Sequence, residues 1–163
     1  MNFPVSDLTS YQELIEQQGL KSQTNIISLD KIIVDIILSE KTGFSRSQQV
    51  WCLIRQRIVD GCASVVDIDY LDVRLMPQLN RIIAENSIYD YLENQLHLSI
   101  SHAFKEITID NTSEQDKILI DIGKDHHVVC IRSKVYLNNG NQFTESRHKL
   151  EKFKFVYYAK RHH

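Results

Sequence analysis

The sequence is poor in the residues that interrupt regular structure, with only 5 glycines and 2 prolines among 163 residues. Collagen-like repeats and glycine- or proline-rich low-complexity segments are therefore excluded. Hydrophobic residues make up 42% and charged residues 25% of the chain, which is the balance of a globular protein and not of a disordered one. A chain of this length predicts a single domain over residues 1–163.

The sequence also lacks an excess of positive charge. Lys and Arg total 19 against 21 Asp and Glu, which gives a formal net charge of -2. Proteins that hold nucleic-acid phosphates by themselves carry a basic excess. The composition therefore argues against DNA binding by these residues.

Long apolar runs are absent as well. The run at Ile32–Leu38 is interrupted by Asp35 and falls far short of the roughly 20 residues that a membrane-spanning helix needs. The first residues show neither the basic start nor the apolar core of a signal peptide. We therefore predict a cytoplasmic protein with no membrane partner.

The cysteines and histidines do not have metal-binding spacing. Cys52, Cys62 and Cys130 form no Cys-x-x-Cys pair, and the 7 histidines form no His-x-x-x-His pair. Reduced thiols in a cytoplasmic protein are expected to act as small core hydrophobes. Glycine-rich phosphate loops and nucleophile motifs are missing too, so the sequence predicts no metal, no cofactor and no catalytic residue.

Hydrophobic periodicity predicts long strands with inserted helices. The Ser-x-x-Glu pattern from Ser10 to Glu13 predicts a short helix over 10–18. The segment Ile26–Leu38 is rich in β-branched residues and is read as a strand with a short helix after it. The remaining predicted strands are Val50–Val59, Ala63–Leu71, Ser99–Ile109, Val128–Leu137, one ending near His148, and Phe153–Tyr158, and the remaining helices are Met76–Asn86, Ser87–Leu96 and Ser113–Ile120. This order predicts an α+β fold with an antiparallel sheet.

A hairpin is predicted at Asp60-Gly61, between the strands that carry the candidate site. A two-residue turn there would place Asp67 opposite Ile54. A three-residue loop through Cys62 would place it opposite Arg55 instead. The sequence leaves both registers open.

Arg55 and Arg57 lie two residues apart on a predicted strand, so both side chains project from the same face. A phosphate suits such a pair, because guanidinium groups bind phosphate oxygens in a bidentate manner. The alternative is that each arginine forms an ion pair with a carboxylate. Ser87 stands at a predicted helix start, where it is either a plain N-cap or part of an anion site, and Ser10 and Tyr11 at the first helix have the same two interpretations.

Three segments resemble a known family. They are Ser87–Glu93, Asp69–Leu71 after the Arg-x-Arg strand, and above all Thr144–Phe155. These segments resemble the UTRA effector-binding domain of GntR-family repressors, HutC subfamily, in particular the subgroup that controls trehalose operons. The resemblance extends from about Asn2 to Arg161.

The resemblance implies a chorismate-lyase-like α+β fold, a homodimer and a pocket for a phosphosugar effector, expected here to be trehalose 6-phosphate. It implies phosphate contacts from Arg55, Arg57 and Ser87, with Ser10 beside them. Sugar contacts are implied for Tyr11, Asp67, Tyr89, Glu145 and Arg147. It also implies that DNA is bound only through a winged helix-turn-helix domain that precedes this region in such repressors and is missing from this chain.

Two other functions compete with the repressor interpretation. The same fold serves chorismate–pyruvate lyase, so an enzyme acting on a small anionic substrate is the alternative. A dimerisation module with a vestigial pocket is the third possibility. The motif at Thr144–Phe155 and the missing catalytic signature favour a regulator that is not an enzyme.

Overall fold

The fold is built on a six-stranded antiparallel sheet. The computed structural model describes residues 2–4, 19, 21–156 and 158–161. The sheet strands are β2 (Ser22–Ile33), β3 (Gln49–Val59), β4 (Cys62–Asp72), β5 (Ile100–Asn111), β6 (His127–Leu137) and β7 (Gly140–Lys149). Their order across the sheet is β2-β3-β4-β7-β6-β5. The predicted α+β antiparallel architecture is confirmed.

Short helices connect the strands. They are α1 (Ile36–Thr42), α2 (Arg81–Ala84), α3 (Ile88–Asp90) with a π-helical turn over Tyr91–Gln95, α4 (Glu114–Leu119) and a 3-10 turn at Leu150–Lys152. Within the described ranges, every helix is too short or too polar to cross a membrane. A separate two-stranded parallel sheet joins β1 (Asn2–Pro4) to β8 (Lys154–Val156).

Two predicted elements are shorter than expected. The helix predicted over Met76–Asn86 is confined to Arg81–Ala84, because Asn80 caps it by accepting a bond from Ile83 N at 2.9 Å. The last strand ends at Val156 instead of Tyr158. The predicted helix over 10–18, with Ser10 and Tyr11, lies outside the described residues.

The β3–β4 hairpin settles the register that the sequence leaves open. Val59 pairs with Cys62, so Asp60-Gly61 is a two-residue turn, and both residues have positive φ. A β-bulge then inserts Ser64, which shifts the register by one residue and places Asp67 opposite Arg55. The turn therefore has two residues, as in the first alternative, whereas Asp67 faces Arg55, as in the second alternative.

The sheet has two different faces, and helices pack against part of each face. Face A is defined by Leu53, Arg55 and Asp67, and face B by the alternate residues, such as Val66 and Glu145. On face A, one apolar cluster lies beneath α2 and α3 and contains Trp51, Leu53, Leu71, Met76, Leu79, Ala84, Ile88, Tyr91, Leu92 and Leu137. Two smaller clusters on face B pack against α1 and α4.

The 3 cysteines are free. Cys130 is buried, as expected for a core hydrophobe, whereas Cys52 and Cys62 are half-buried. The core prediction therefore holds for Cys130 only.

The core beneath α2 and α3 can be tested with Leu53→Ala. Leu53 is fully buried, so we expect this change to lower the free energy of unfolding by about 2–5 kcal/mol in urea denaturation. Ile33→Ala, on an edge strand and 60% exposed, is the control and should cost less than about 1 kcal/mol. Equal losses in the two variants would contradict this placement of the core.

Candidate functional site

The candidate site lies where the apolar cover of face A ends. Trp51 and Leu53 on β3 are packed beneath α2 and α3. The next two residues on the same face are Arg55 and Arg57, each only 5% exposed. Two charges are therefore buried directly beside the core, and each needs a compensating partner.

Arg55 is held by one carboxylate and two carbonyl groups. Its Nη2 lies 2.7 Å from Asp69 Oδ2, and its Nη1 donates to the carbonyls of Ala84 at 3.2 Å and Asn86 at 3.4 Å. Its Nε is buried and has no hydrogen-bond partner among the described residues. A guanidinium has five N–H donors, so donors remain for a ligand without breaking the Asp69 ion pair.

Arg57 makes the same kind of diagonal contact one step along the strand. Its Nε lies 2.8 Å from Asp67 Oδ2, and its Nη1 donates to Thr24 Oγ1 on β2 at 2.8 Å. Both arginines thus bridge to a carboxylate on β4, which is the ion-pair arrangement that the sequence allowed as an alternative. The two ion pairs do not exclude phosphate binding, because the arginines still stand side by side on one face.

The Asp67 carboxylate interacts electrostatically with both arginines. Burial alone would raise the pKa of its carboxyl, but Arg57, Arg55 and a hydrogen bond with Ser146 outweigh it and hold the pKa below its ordinary value. Asp67 is therefore an ionised acceptor. Asp69 also accepts from Thr144 Oγ1 at 2.7 Å, which links β4 to β7.

Ser87 lies close to Arg55, since one of the two carbonyls that Arg55 contacts belongs to Asn86, the residue before Ser87. Ser87 is the N-cap of α3, and its Oγ accepts from Asp90 N at 3.2 Å. Tyr89 follows two residues later and is half-buried. The structure therefore brings Arg55 and Ser87 together, at the point where the α2–α3 connection meets the sheet.

Glu145 and Arg147 are not brought to this site. Ser146 faces Asp67 on face A, so its two neighbours on β7 project from face B. Glu145 Oε1 lies 2.9 Å from Lys41 Nζ and 3.0 Å from Arg132 Nε. Arg147 Nη2 lies 2.8 Å from Asp116 Oδ2. The expected sugar contacts from Glu145 and Arg147 are corrected accordingly: both belong to an ion-pair network that fastens α1 and α4 to the other face.

Sequence reasoning missed the polar residues that complete face A. Thr24, Asp69, Thr144, Ser146 and His148 all lie on this face, on β2, β4 and β7. The two-residue period of Thr144, Ser146 and His148 was available as a signal. Its use required knowing that β7 lies next to β4, which no local pattern reveals.

His148 is buried on face A beside Ser146, with its Nε2 2.7 Å from the serine Oγ and its ring against Phe153. Burial lowers the pKa of His148 to about 4, although Asp67 opposes the shift. The imidazole is therefore neutral near pH 7. It contributes hydrogen-bonding capacity to the site without adding charge.

Metal binding has no support in this region. Among the residues that the structure describes, no group of three or more His, Cys, Asp and Glu side chains could hold a metal ion. The arrangement on face A is a set of hydrogen-bond donors and acceptors around two arginines. Such a set suits a small anionic, hydroxyl-rich ligand.

Comparison with known proteins identifies the family. The family model described as the UTRA domain matches residues 17–154. The chain belongs to the UTRA domain family. The HTH-type transcriptional regulator TreR of Bacillus subtilis is 37% identical over 163 residues, covering 99% of this UTRA domain and 68% of TreR. The repressor NagR of the same organism is 23% identical, covering 99% of this chain and 67% of NagR.

Solved structures agree with this assignment. The effector-binding domain of the B. subtilis trehalose repressor superposes with a TM-score of 0.79 at 35% identity, over 86% of this UTRA domain and 99% of that chain. The effector domain of PhnF from Mycobacterium smegmatis gives a TM-score of 0.85 at 17% identity, over 99% and 100% of the two chains. The PhnF likeness shows a shared fold.

The buried histidine predicts acid sensitivity. The pKa of His148 is lower in the folded than in the unfolded chain, where it is about 6.5, so stability is present above that value and is lost as the pH falls towards about 4. Between about pH 7 and 5 the loss from this residue should be on the order of 2 kcal/mol.

Urea denaturation at several pH values checks this prediction. The variant His148→Gln keeps a polar side chain that does not titrate, so its stability should depend less steeply on pH over that interval. The informative quantity is the difference between the two pH profiles, because the substitution itself also changes stability. Parallel profiles for both proteins would contradict the prediction.

Proposed function

We propose that this UTRA domain is the ligand-sensing domain of a transcriptional repressor of sugar utilisation and that its effector is a phosphorylated sugar, with trehalose 6-phosphate as the first candidate. The observation that carries the proposal is the buried pair Arg55 and Arg57 on face A, next to Ser87. The relative in B. subtilis is called a trehalose repressor, which supports the choice of sugar.

The phosphate is proposed to bind at the Arg55 end of the site. The Nε of Arg55 is a buried donor without a partner in the described region, and leaving such a donor unsatisfied costs about 1–3 kcal/mol. A phosphate oxygen would satisfy it with a charge-assisted hydrogen bond. The Ser87 hydroxyl is half-buried and adjoins the same segment, so it can donate to a second oxygen.

The sugar is proposed to lie over β4 and β7. Asp67 is ionised and can accept from sugar hydroxyls, with Tyr89 beside Ser87 as a second polar group. Ser10 and Tyr11 remain predicted contacts from a segment outside the described residues. Thr144 and Ser146 extend the polar surface, as their register with Asp69 and Asp67 requires.

Ligand binding would regulate DNA binding by shifting a population. If the phosphosugar binds one arrangement of a homodimer more tightly, it changes the spacing of DNA-reading domains attached to it and weakens operator binding. A ten- to hundredfold effect needs roughly 1.4–2.8 kcal/mol of coupling free energy. One phosphate site can supply this amount.

The edge strand β5 is the surface proposed for the homodimer. In the described part of the chain β5 pairs only with β6, so its outer edge is open. Phe104 is 66% exposed and Ile109 61% exposed on this strand. These two side chains project from opposite faces of the sheet. A long unpaired edge with exposed apolar groups on both faces favours pairing with another strand, and a second copy of β5 offers the same edge.

The phosphate site is tested with a pair of matched serines. Ser87→Ala removes the N-cap of α3 and the proposed phosphate contact, whereas Ser113→Ala removes only the N-cap of α4. Each loss of a cap should cost about 1 kcal/mol of stability. In titration calorimetry with trehalose 6-phosphate, we expect Ser87→Ala to bind about ten- to hundredfold more weakly and Ser113→Ala to bind like the unmodified protein.

A panel of ligands separates the candidate functions. Thermal unfolding is followed with trehalose 6-phosphate, glucose 6-phosphate, N-acetylglucosamine 6-phosphate, trehalose and chorismate. At about 100 times its dissociation constant, a ligand adds roughly 2.7 kcal/mol of stability. Stabilisation by trehalose 6-phosphate without stabilisation by trehalose supports the proposal. Stabilisation by chorismate alone, with release of pyruvate, would favour the enzyme alternative.

The dimer surface is tested by Phe104→Glu. A buried carboxylate at a β5–β5 contact would be unpaired, so the variant should be monomeric in light scattering at concentrations where the unmodified protein is dimeric. Glu106→Gln, on the same strand, is the control and should leave the mass unchanged. A dimer that persists in Phe104→Glu would place the interface elsewhere.

A further inference from the structure

A cavity separate from the candidate site lies at the end of the sheet where β3 begins and β4 ends. Its volume is about 520 Å³, within the range of roughly 300–1,000 Å³ that small-molecule sites occupy. Gln49, the first residue of β3, lines it and lies six residues before Arg55, which places the cavity roughly 20 Å along the strand from that arginine. None of the contacts proposed for the effector belongs to this cavity.

The lining of the cavity is cationic and rich in hydrogen-bonding groups. Arg46 and Arg74 supply two guanidinium groups, and two serines and two glutamines surround them. Of the lining residues that the structure describes, none carries a carboxylate. This composition favours an anionic ligand, because guanidinium groups form charge-assisted hydrogen bonds with anions.

Arg74 is held in place by a buried carboxylate. Asp72 Oδ1 accepts from the Arg74 backbone N–H at 2.9 Å and from its Nε at 3.3 Å, and Asp72 Oδ2 accepts from its Nη2 at 3.0 Å. The Asp72 side chain is 2% exposed, whereas the Arg74 side chain is 78% exposed. The ion pair thus fixes one edge of the guanidinium, and Nη1, which has no partner among the described residues, keeps its donors for a ligand.

Arg46 is the second cation of the cavity. Within the described ranges, no carboxylate lies within ion-pair distance of its exposed guanidinium. Unpaired arginines are common on protein surfaces, so this charge does not indicate a site by itself. Its position does, because it shares one cavity with the pre-oriented Arg74.

The segment that carries Arg46 is fixed by hydrogen bonds on both sides of that residue. Ser45 N donates to Gln48 Oε1 and Gln48 N donates to the Ser45 carbonyl, both at 3.2 Å. Ser47 N donates to the Val34 carbonyl at 2.9 Å. Ser47 has a φ of 69°, in the left-handed region that residues other than glycine rarely adopt. The wall is therefore already ordered before a ligand binds.

We infer that this cavity is a second binding site, for a small molecule that carries a phosphate monoester. Such a group has nearly two negative charges at pH 7, which matches the two guanidinium groups. The serine and glutamine side chains can bond to hydroxyl groups on the rest of the molecule. The inference does not depend on the proposed function, since it uses none of the proposed effector contacts.

The test follows titrations by NMR of the isotope-labelled chain, because amide signals report where a ligand binds. The probes are glucose 6-phosphate, inorganic phosphate and glucose. The proteins are the unmodified chain, Arg46→Gln and Lys124→Gln. Lys124 is the matched control, because it is an exposed cation in the loop between α4 and β6, at the opposite end of the sheet from Gln49.

We expect glucose 6-phosphate to shift the amide signals of Ser47 and Gln49 in a saturable manner. Arg46→Gln should weaken this binding at least about tenfold, and Lys124→Gln should bind like the unmodified protein. Inorganic phosphate should bind more weakly than glucose 6-phosphate, because it has no sugar hydroxyls for the serine and glutamine side chains. Glucose should cause no saturable shift at these amides.

Several outcomes would overturn the inference. They are unchanged signals at Ser47 and Gln49, equal affinity in Arg46→Gln, and binding of glucose as tight as that of glucose 6-phosphate. Equal affinities for inorganic phosphate and glucose 6-phosphate would also overturn it, since the cavity would then hold an adventitious ion only.

The variant Ser87→Ala separates the cavity from the proposed effector site. Its affinity for glucose 6-phosphate, read from the Ser47 and Gln49 signals, should equal that of the unmodified chain. If the affinity fell in this variant, the signals would report binding at the effector site, and the inference would be wrong while the proposed function stands. If the signals at the cavity behave as expected but no ligand binds near Ser87, the inference stands and the proposed function fails.

Discussion

The candidate site depends on two buried arginine–aspartate pairs that run diagonally between β3 and β4. A guanidinium in the interior of a protein is costly unless a carboxylate neutralises it. Arg55 reaches Asp69 and Arg57 reaches Asp67, so each pair spans one strand and two residues. A shift of register by one residue would move both carboxylates to face B and leave two unpaired charges against the core. The extra residue Ser64 sets this register, since without a bulge the two-residue turn would pair Asp67 with Ile54.

Much of the fold could be predicted from the sequence because its signals are local. Asp60-Gly61 is a dipeptide typical of two-residue hairpin turns. Arg55 and Arg57 are two residues apart on a strand, which places both side chains on one face. The bulge at Ser64 could not be predicted, because the residues around it fit a regular hairpin equally well and only the pairing of β3 with β4 reveals the extra residue. The helix predicted over Met76–Asn86 is longer than the observed helix, Arg81–Ala84. Its apolar residues indicate burial, but Asn80 starts the helix late.

The site was predicted less completely than the fold. Local patterns singled out Arg55, Arg57 and Ser87, and the family resemblance added Asp67. The structure places these four candidates in two segments that pack against each other. Glu145 and Arg147 were misplaced, because a segment with a family-like sequence does not reveal which alternate residues face the ligand. The register of β7 against β4 decides this question. It assigns Thr144, Ser146 and His148 to face A and their neighbours to the network on face B.

The bonds from Arg55 to the carbonyls of Ala84 and Asn86 have a mechanical consequence. The same guanidinium is shared between the sheet and the end of α2, just before the serine that starts α3. Its Nη2 holds the sheet through Asp69, and its Nη1 holds the two carbonyls. Because a guanidinium is one rigid plane, these bonds fix the distance between the sheet and the segment from Ala84 to Ser87. Arg55 is therefore a rigid cross-link between the sheet and the connection of the two helices that cover the hydrophobic core.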